Sequence, residues 1–261
     1  MNAADAPYTA ARSALLEIED NARIRAAFER LILPKAQVFF ASEYVDAEQK
    51  KAFQGLTKLK STDSSTNYRA LLILVCSAFE YFCKQTIQNA VRELSERAAS
   101  YNDLPISVYT ANFAYTGQYF QAKQDAYRNG SGRRIFEELS KGLASCRQEA
   151  TKLILNPSMF VAFLGNCTAK QLEKIFAELT LGEPFGDIVG GFPELRSHFS
   201  GGGTRDVAKR AREKLEALIE RRNDLVHSAS ISETVTIDDL LDASAFVQAL
   251  MGAIKSIVAK V

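Results

Sequence analysis

Histidine is scarce in this chain: only His198 and His227 occur in 261 residues. No compact carboxylate cluster accompanies either one, so neither a metal centre nor any other cofactor is expected. No Gly-x-Ser-x-Gly elbow is present, nor a cysteine nucleophile with an obvious basic partner. The four cysteines, Cys76, Cys83, Cys146 and Cys167, fit no zinc-ligand spacing. Cys76 and Cys83 lie two turns apart on one expected helix, about 10 Å along its axis, too far for a disulfide. All four are read as reduced thiols, mostly in the core of a cytoplasmic protein. Excess charge is missing too. Lys plus Arg is 32 and Asp plus Glu is 31, which leaves a net charge of +1 and no global pull towards nucleic acid or membrane. A binding patch must be local. The longest apolar run, Ala70 to Phe79, stops at Glu80, short of the roughly 20 residues a bilayer span needs. The N-terminus shows no basic start followed by an apolar stretch, so no signal peptide and no membrane partner are expected.

Sustained strand alternation is also missing, and what remains is helical periodicity nearly throughout. The first helix is expected from Ala10 to Leu33, stopped by Pro34. A second is expected from Lys35 to Leu59, then a loop over Ser61–Asn67. The most apolar helix, Tyr68 to Ser100, should be central. Shorter pieces are expected over Ser107–Arg128, Gly132–Leu155 and Thr168–Leu179. Gly182–Gly203 reads as mostly loop, with Gly201-Gly202-Gly203-Thr204 a flexible connector rather than a phosphate loop. Long helices follow at Thr204–Val226 and Ile237–Ala259, the latter with Thr236 as N-cap and Asp239 three residues on. The expected fold is an all-α helical bundle. Residues 1–60 form a helical extension packed on the core, and residues 68–261 form the main domain.

Two charges interrupt the apolar stripes. Ala211, Leu215, Leu218, Arg222 and Leu225 share one face of their helix, and Ile73, Cys76, Glu80, Cys83, Ile87 and Val91 share one face of theirs. A lone buried charge is costly, so Glu80 and Arg222 are expected to meet across a helix contact. Structural ion pairs outnumber catalytic ones, and snorkelling of Arg222 to solvent is the other ordinary reading. His227 alters the balance. Five helical residues turn about 500°, which sets His227 about 140° away from Arg222. It must lie at a helix end, or the site must be built from two helices.

The string Arg221-Arg222-Asn223-Asp224-Leu225-Val226-His227-Ser228 resembles the signature of HEPN domains: an Arg, a polar residue, and a His four to six positions beyond the Arg. The apolar helix carrying Glu80 resembles the early core helix of the same families. The layout is most similar to the RiboL-PSP-type HEPN domain. That resemblance implies a dimeric helical bundle that cleaves RNA without metal at an Arg-x4-His composite site, acting as a toxin or anti-phage effector with a possible antitoxin or defence-system partner protein. The residue types suit such chemistry. Histidine is the side-chain type whose unperturbed pKa suits removal of a ribose 2′-hydroxyl proton, the part His227 would take. Arg222, always charged and forked, can meet the developing phosphorane charge. Asn223 could bond phosphate or orient His227, and Glu80 could hold Arg222. The expected products are a 2′,3′-cyclic phosphate and a 5′-hydroxyl. A homodimer, with each subunit offering one motif to a shared cleft, resolves the 140° divergence. Between Arg205 and Arg222 seven basic residues face four acidic ones. Arg221, Lys214 and Arg210 are accordingly expected to contact RNA, with Arg133-Arg134 as a further contact. The alternative is a non-catalytic helical module that binds RNA or protein within a defence or regulatory complex. A further possibility is a component whose cleavage awaits an activator.

Overall fold

The computed structural model describes residues 3–27, 64–128, 132–146, 153–227 and 234–259. Among them every regular element is helical, and no strand occurs. The expected helix over Lys35–Leu59 and the stop at Pro34 lie outside the described residues.

Helix α1 (Asp5–Ala27) buries Ala11, Leu15, Ile18 and Ala22. This near-perfect three-and-four spacing makes one narrow stripe. Helix α2 (Ser64–Arg97) is central and much broader in its burial. Leu72, Val75, Cys76, Phe79, Phe82, Cys83, Ile87 and Val91 are all buried, because α1 covers one side and later helices cover the others. It starts at Ser64, within the segment expected to be loop.

A smaller layer follows. Helix α3 (Ile106–Ala122) leads into α4 (Gln124–Arg128), α5 (Arg133–Ser145), α6 (Pro157–Ala162) and α7 (Ala169–Glu178). The single helix expected over Ser107–Arg128 breaks at Lys123, and Pro157 starts an unexpected turn of helix at a position where proline is favoured. A buried polar knot joins these pieces. Asn156 Nδ2 donates to Thr116 Oγ1 at 3.1 Å and to the Leu139 carbonyl at 3.2 Å, and its backbone N–H donates to Asn112 Oδ1 at 3.0 Å. Gly142 makes room for it: a Cβ there would fall on the Asn156 amide.

The segment Gly182–Gly203, expected to be mostly loop, contains helices α8 (Asp187–Gly191) and α9 (Pro193–His198). Pro193 sits at the first position of α9, so it opens a helix here rather than breaking one. The glycine turn after α9 is fastened. Gly201 and Gly202 take φ of +90° and +123°, and the Arg210 guanidinium bonds the Phe199 and Gly201 carbonyls at 3.0 and 2.5 Å.

Helix α10 (Thr204–His227) then runs along α2, α7 and α8, and α11 (Ile237–Val258) closes the bundle against α1, α2, α8 and α9. The Thr236 cap forms as expected: its hydroxyl accepts from Asp239 N at 3.1 Å, while Asp239 Oδ2 accepts from Thr236 N at 2.9 Å. Residues 66–97 and 237–258 are long and apolar enough on average to cross a membrane, although no uninterrupted run is. Half of the most apolar window in the first helix and 67% of that in the second are buried inside the bundle, where those side chains cover one another. His198, expected in a loop, ends α9 instead. Its ring lies largely buried against Phe199 and Phe246, with Nε2 2.8 Å from Lys214 Nζ.

Candidate active site

Helix α10 stays regular to His227, so it carries Arg222, Asn223 and His227 on one rod. Its buried side is Val207, Ala211, Leu215, Leu218 and Ile219, with Leu225 partly covered. Arg222 continues that side, and only 20% of its side chain is exposed. The neighbour it meets is Glu80 on α2, itself 16% exposed, with Arg222 Nη2 4.0 Å from Glu80 Oε1. Glu80 also pairs loosely with Lys84 at 3.7 Å, one turn along the same helix.

A residue absent from the sequence reading completes the surroundings of Arg222. Asn166, in the connection between α6 and α7, accepts from Arg222 Nη1 at 3.1 Å through Oδ1 and donates to Asn223 Oδ1 through Nδ2 at 2.6 Å. Asn223 Oδ1 accepts from the same Arg222 Nη1 at 3.2 Å. A guanidinium only donates, so both amides must turn an oxygen towards it, and the three groups close a triangle of matched polarity. Arg222 Nε and Glu80 Oε1 are buried, and neither has a hydrogen-bond partner among the described residues.

Burial raises the pKa of three buried thiols, two of them beside Glu80. Burial, reinforced by Glu80 and opposed by Arg222, pushes the Cys76 thiol up to about 12. Burial beside Cys167 raises Cys83 well above its ordinary value, and burial raises Cys146 as well.

His227 is the last residue of α10, and its side chain is exposed. Arg222 and His227 are therefore separated by about 7.5 Å along the axis and diverge by about 140°. The other expected basic contacts are spread along the rod. Arg221 reaches Asp239 at 3.4 Å and the Thr234 carbonyl at 3.5 Å, bracing the end of α10 on the start of α11. Lys214 is paired with Asp242 at 2.6 Å and lies over the Phe246 ring. Arg210 pairs with Asp206 at 2.8 Å besides fastening the glycine turn. Lys214 and Arg210 stand about 12 and 18 Å back from Arg222 along the axis, so the structure does not gather them at the motif. Arg133 and Arg134 belong to α5, in the separate smaller layer, where Arg134 pairs with Glu138 at 3.1 Å. Among the described residues no three His, Cys, Asp or Glu side chains assemble as a metal would require.

The RiboL-PSP-HEPN family model matches residues 43–260. The chain belongs to the RiboL-PSP-HEPN family. The match takes in α2 through α11, and hence every residue of the Glu80–Asn166–Arg222–Asn223 cluster and His227. It begins at residue 43, so it takes in part of the first sixty residues as well as the domain expected from 68 onward. No curated protein and no solved structure matches the chain. The family often holds ribonucleases.

Proposed function

We propose that this protein is a metal-independent endoribonuclease in which Arg222 stabilises the charge on the scissile phosphate and His227 moves the 2′-hydroxyl proton. The observation that carries the reading is the holding of Arg222. Two amide oxygens from separate segments bond its guanidinium and the Glu80 carboxylate faces it from a third, at the end of an apolar stripe, whereas a snorkelling Arg would reach solvent instead. Glu80 and Asn223 serve as supports for Arg222 in this scheme. His227, exposed at the helix terminus, is free to meet a ribose. Proton removal from the 2′-hydroxyl lets that oxygen attack the adjacent phosphorus, the bond to the 5′-oxygen breaks, and a 2′,3′-cyclic phosphate and a 5′-hydroxyl result.

The divergence of Arg222 and His227 on one rod favours a homodimer whose paired motifs share a cleft. The proposed setting is a toxin or anti-phage effector acting on cytoplasmic RNA under control of a partner protein. The direct test is incubation with RNA in EDTA. Wild type should cleave, with Arg222→Ala and His227→Ala reduced by at least about a hundredfold. No cleavage by wild type, or equal cleavage by all three, defeats the proposal. A non-catalytic RNA- or protein-binding module is favoured by one feature, the enclosure of four-fifths of the Arg222 side chain. That reading requires Arg222→Ala to lose stability with no turnover to lose.

A further inference from the structure

Asn166 lies outside the Arg-x4-His string, on a segment whose sequence marks it only as a turn. We infer that Asn166 is a positioning residue for Arg222: it holds one guanidinium nitrogen so that the other side of the fork is left for phosphate. The inference rests on the ribonuclease reading above and assigns a role within the same site.

The hydrogen-bond count supports it. Arg222 Nη1 carries two protons, and its two acceptors are Asn166 Oδ1 and Asn223 Oδ1. Both protons are thereby used. Among the described residues Nη2 has only the 4.0 Å approach to Glu80, too long for a hydrogen bond, so its protons remain available to a phosphate oxygen. Asn223 alone could not impose this arrangement, because it is the next residue on the same helix and its amide is free to rotate. The 2.6 Å bond from Asn166 Nδ2 fixes which atom of Asn223 faces Arg222.

Asn166 can do this because its own segment is locked to α10. Cys167 takes φ of +52° and is completely buried, which anchors the chain immediately after Asn166. Thr168 and Gln171 form a capping box that starts α7. Helix α7 is then fastened along α10 by Arg212, which grips Glu173 with bonds of 2.7 and 3.2 Å, and by the Lys170 N–H, which reaches Glu216 at 3.4 Å. The amide therefore approaches Arg222 from a support that moves with α10.

The test is a kinetic cycle joined to a spectroscopic one. In wild type, Asn166→Ala should lower kcat for RNA cleavage by about tenfold or more with KM little changed, because the guanidinium is needed mainly as charge develops. In the Arg222→Ala background the same change should cost less than about twofold, which a merely structural role would not produce. In protein labelled with nitrogen-15 arginine, the two Nη signals of Arg222 should be distinct in wild type and averaged in Asn166→Ala. Asn166→Asp keeps the Oδ1 acceptor for Nη1 but loses the Nδ2 donor to Asn223; it should keep the Nη signals distinct, while its added carboxylate competes with phosphate and lowers kcat. This variant also serves if the alanine variant fails to fold. Equal loss of kcat in both backgrounds, or Nη signals unaltered by Asn166→Ala, overturns the assignment. If wild type cleaves no RNA, the ribonuclease reading fails and the arginine signals still decide the role of Asn166.

Discussion

Replacing Glu80 with alanine removes the carboxylate facing Arg222 and leaves a guanidinium that is four-fifths enclosed. The size of the effect follows from the geometry. Two unit charges at about 4 Å attract by about 4 kcal/mol at the effective dielectric of a site near a protein surface, and by about 1 kcal/mol in water. The pair lies between these limits. Its side chains are 16% and 20% exposed, and no hydrogen bond reinforces the 4.0 Å approach. Desolvation offsets part of the gain, and the Asn166 and Asn223 oxygens retain part of the compensation for Arg222. The expected coupling between Glu80 and Arg222 is then about 1–2 kcal/mol. Each kcal/mol moves the Tm of a protein of this size by about 2–4 °C, so the effect is measurable. The assay is urea or thermal unfolding of wild type, Glu80→Ala, Arg222→Ala and the double variant. Lys84→Ala serves as control for the 3.7 Å Lys84–Glu80 contact, which is also lost. Additivity of the two single changes within about 0.3 kcal/mol would show that the charges do not stabilise each other, and the reasoning would be refuted.

Three further outcomes are expected. Gly142→Ala should destabilise by about 2–4 kcal/mol in urea melts, because its Cβ would fall on the Asn156 amide and displace a buried hydrogen-bonded group; a loss under about 0.5 kcal/mol would contradict this. Burial, helped by Lys214 and opposed by Asp242, lowers the His198 pKa below its ordinary value. The unfolded chain therefore takes up that proton first, and this stabilisation, complete above about pH 6.5, declines as pH falls below it; His198→Asn should flatten that part of the stability profile. If Arg222 of one subunit works with His227 of the other, mixing and refolding Arg222→Ala with His227→Ala should restore about a quarter of wild-type activity, since half the dimers are mixed and each has one intact site. No restoration would place both residues of each site on one chain.

What was legible in the sequence depended on whether a residue's role follows from its own helix. Glu80 and Arg222 could be paired because each interrupts an apolar stripe, and a charge on such a stripe needs a partner whichever helix supplies it. The Thr236–Asp239 cap was legible because both of its residues lie within one turn. Asn166 was not, since an asparagine in a turn is ordinary. Its significance comes only from partners 56 and 57 residues away, brought together by the docking of α7 on α10. Helices α8 and α9 were hidden by their glycine and proline content. Gly190 proves to be a packing residue there, since a Cβ would collide with the Thr204 carbonyl. The contacts expected of Arg210 and Lys214 with RNA rest on a charge count along α10, and such a count does not register their ion pairs with Asp206 and Asp242.

Because α10 does not break before His227, the motif has a phase as well as a composition. Inserting one alanine between Arg222 and His227 would advance the imidazole by only about 1.5 Å yet swing it by about 100° around the axis, while Arg222 stayed in its triangle. A chain with the histidine one or two residues further on could not share this geometry while keeping a continuous helix. It would have to unwind the last turn or point the imidazole in another direction. Spacing in this string is thus an angular coordinate: it sets the direction in which the histidine side chain leaves the helix.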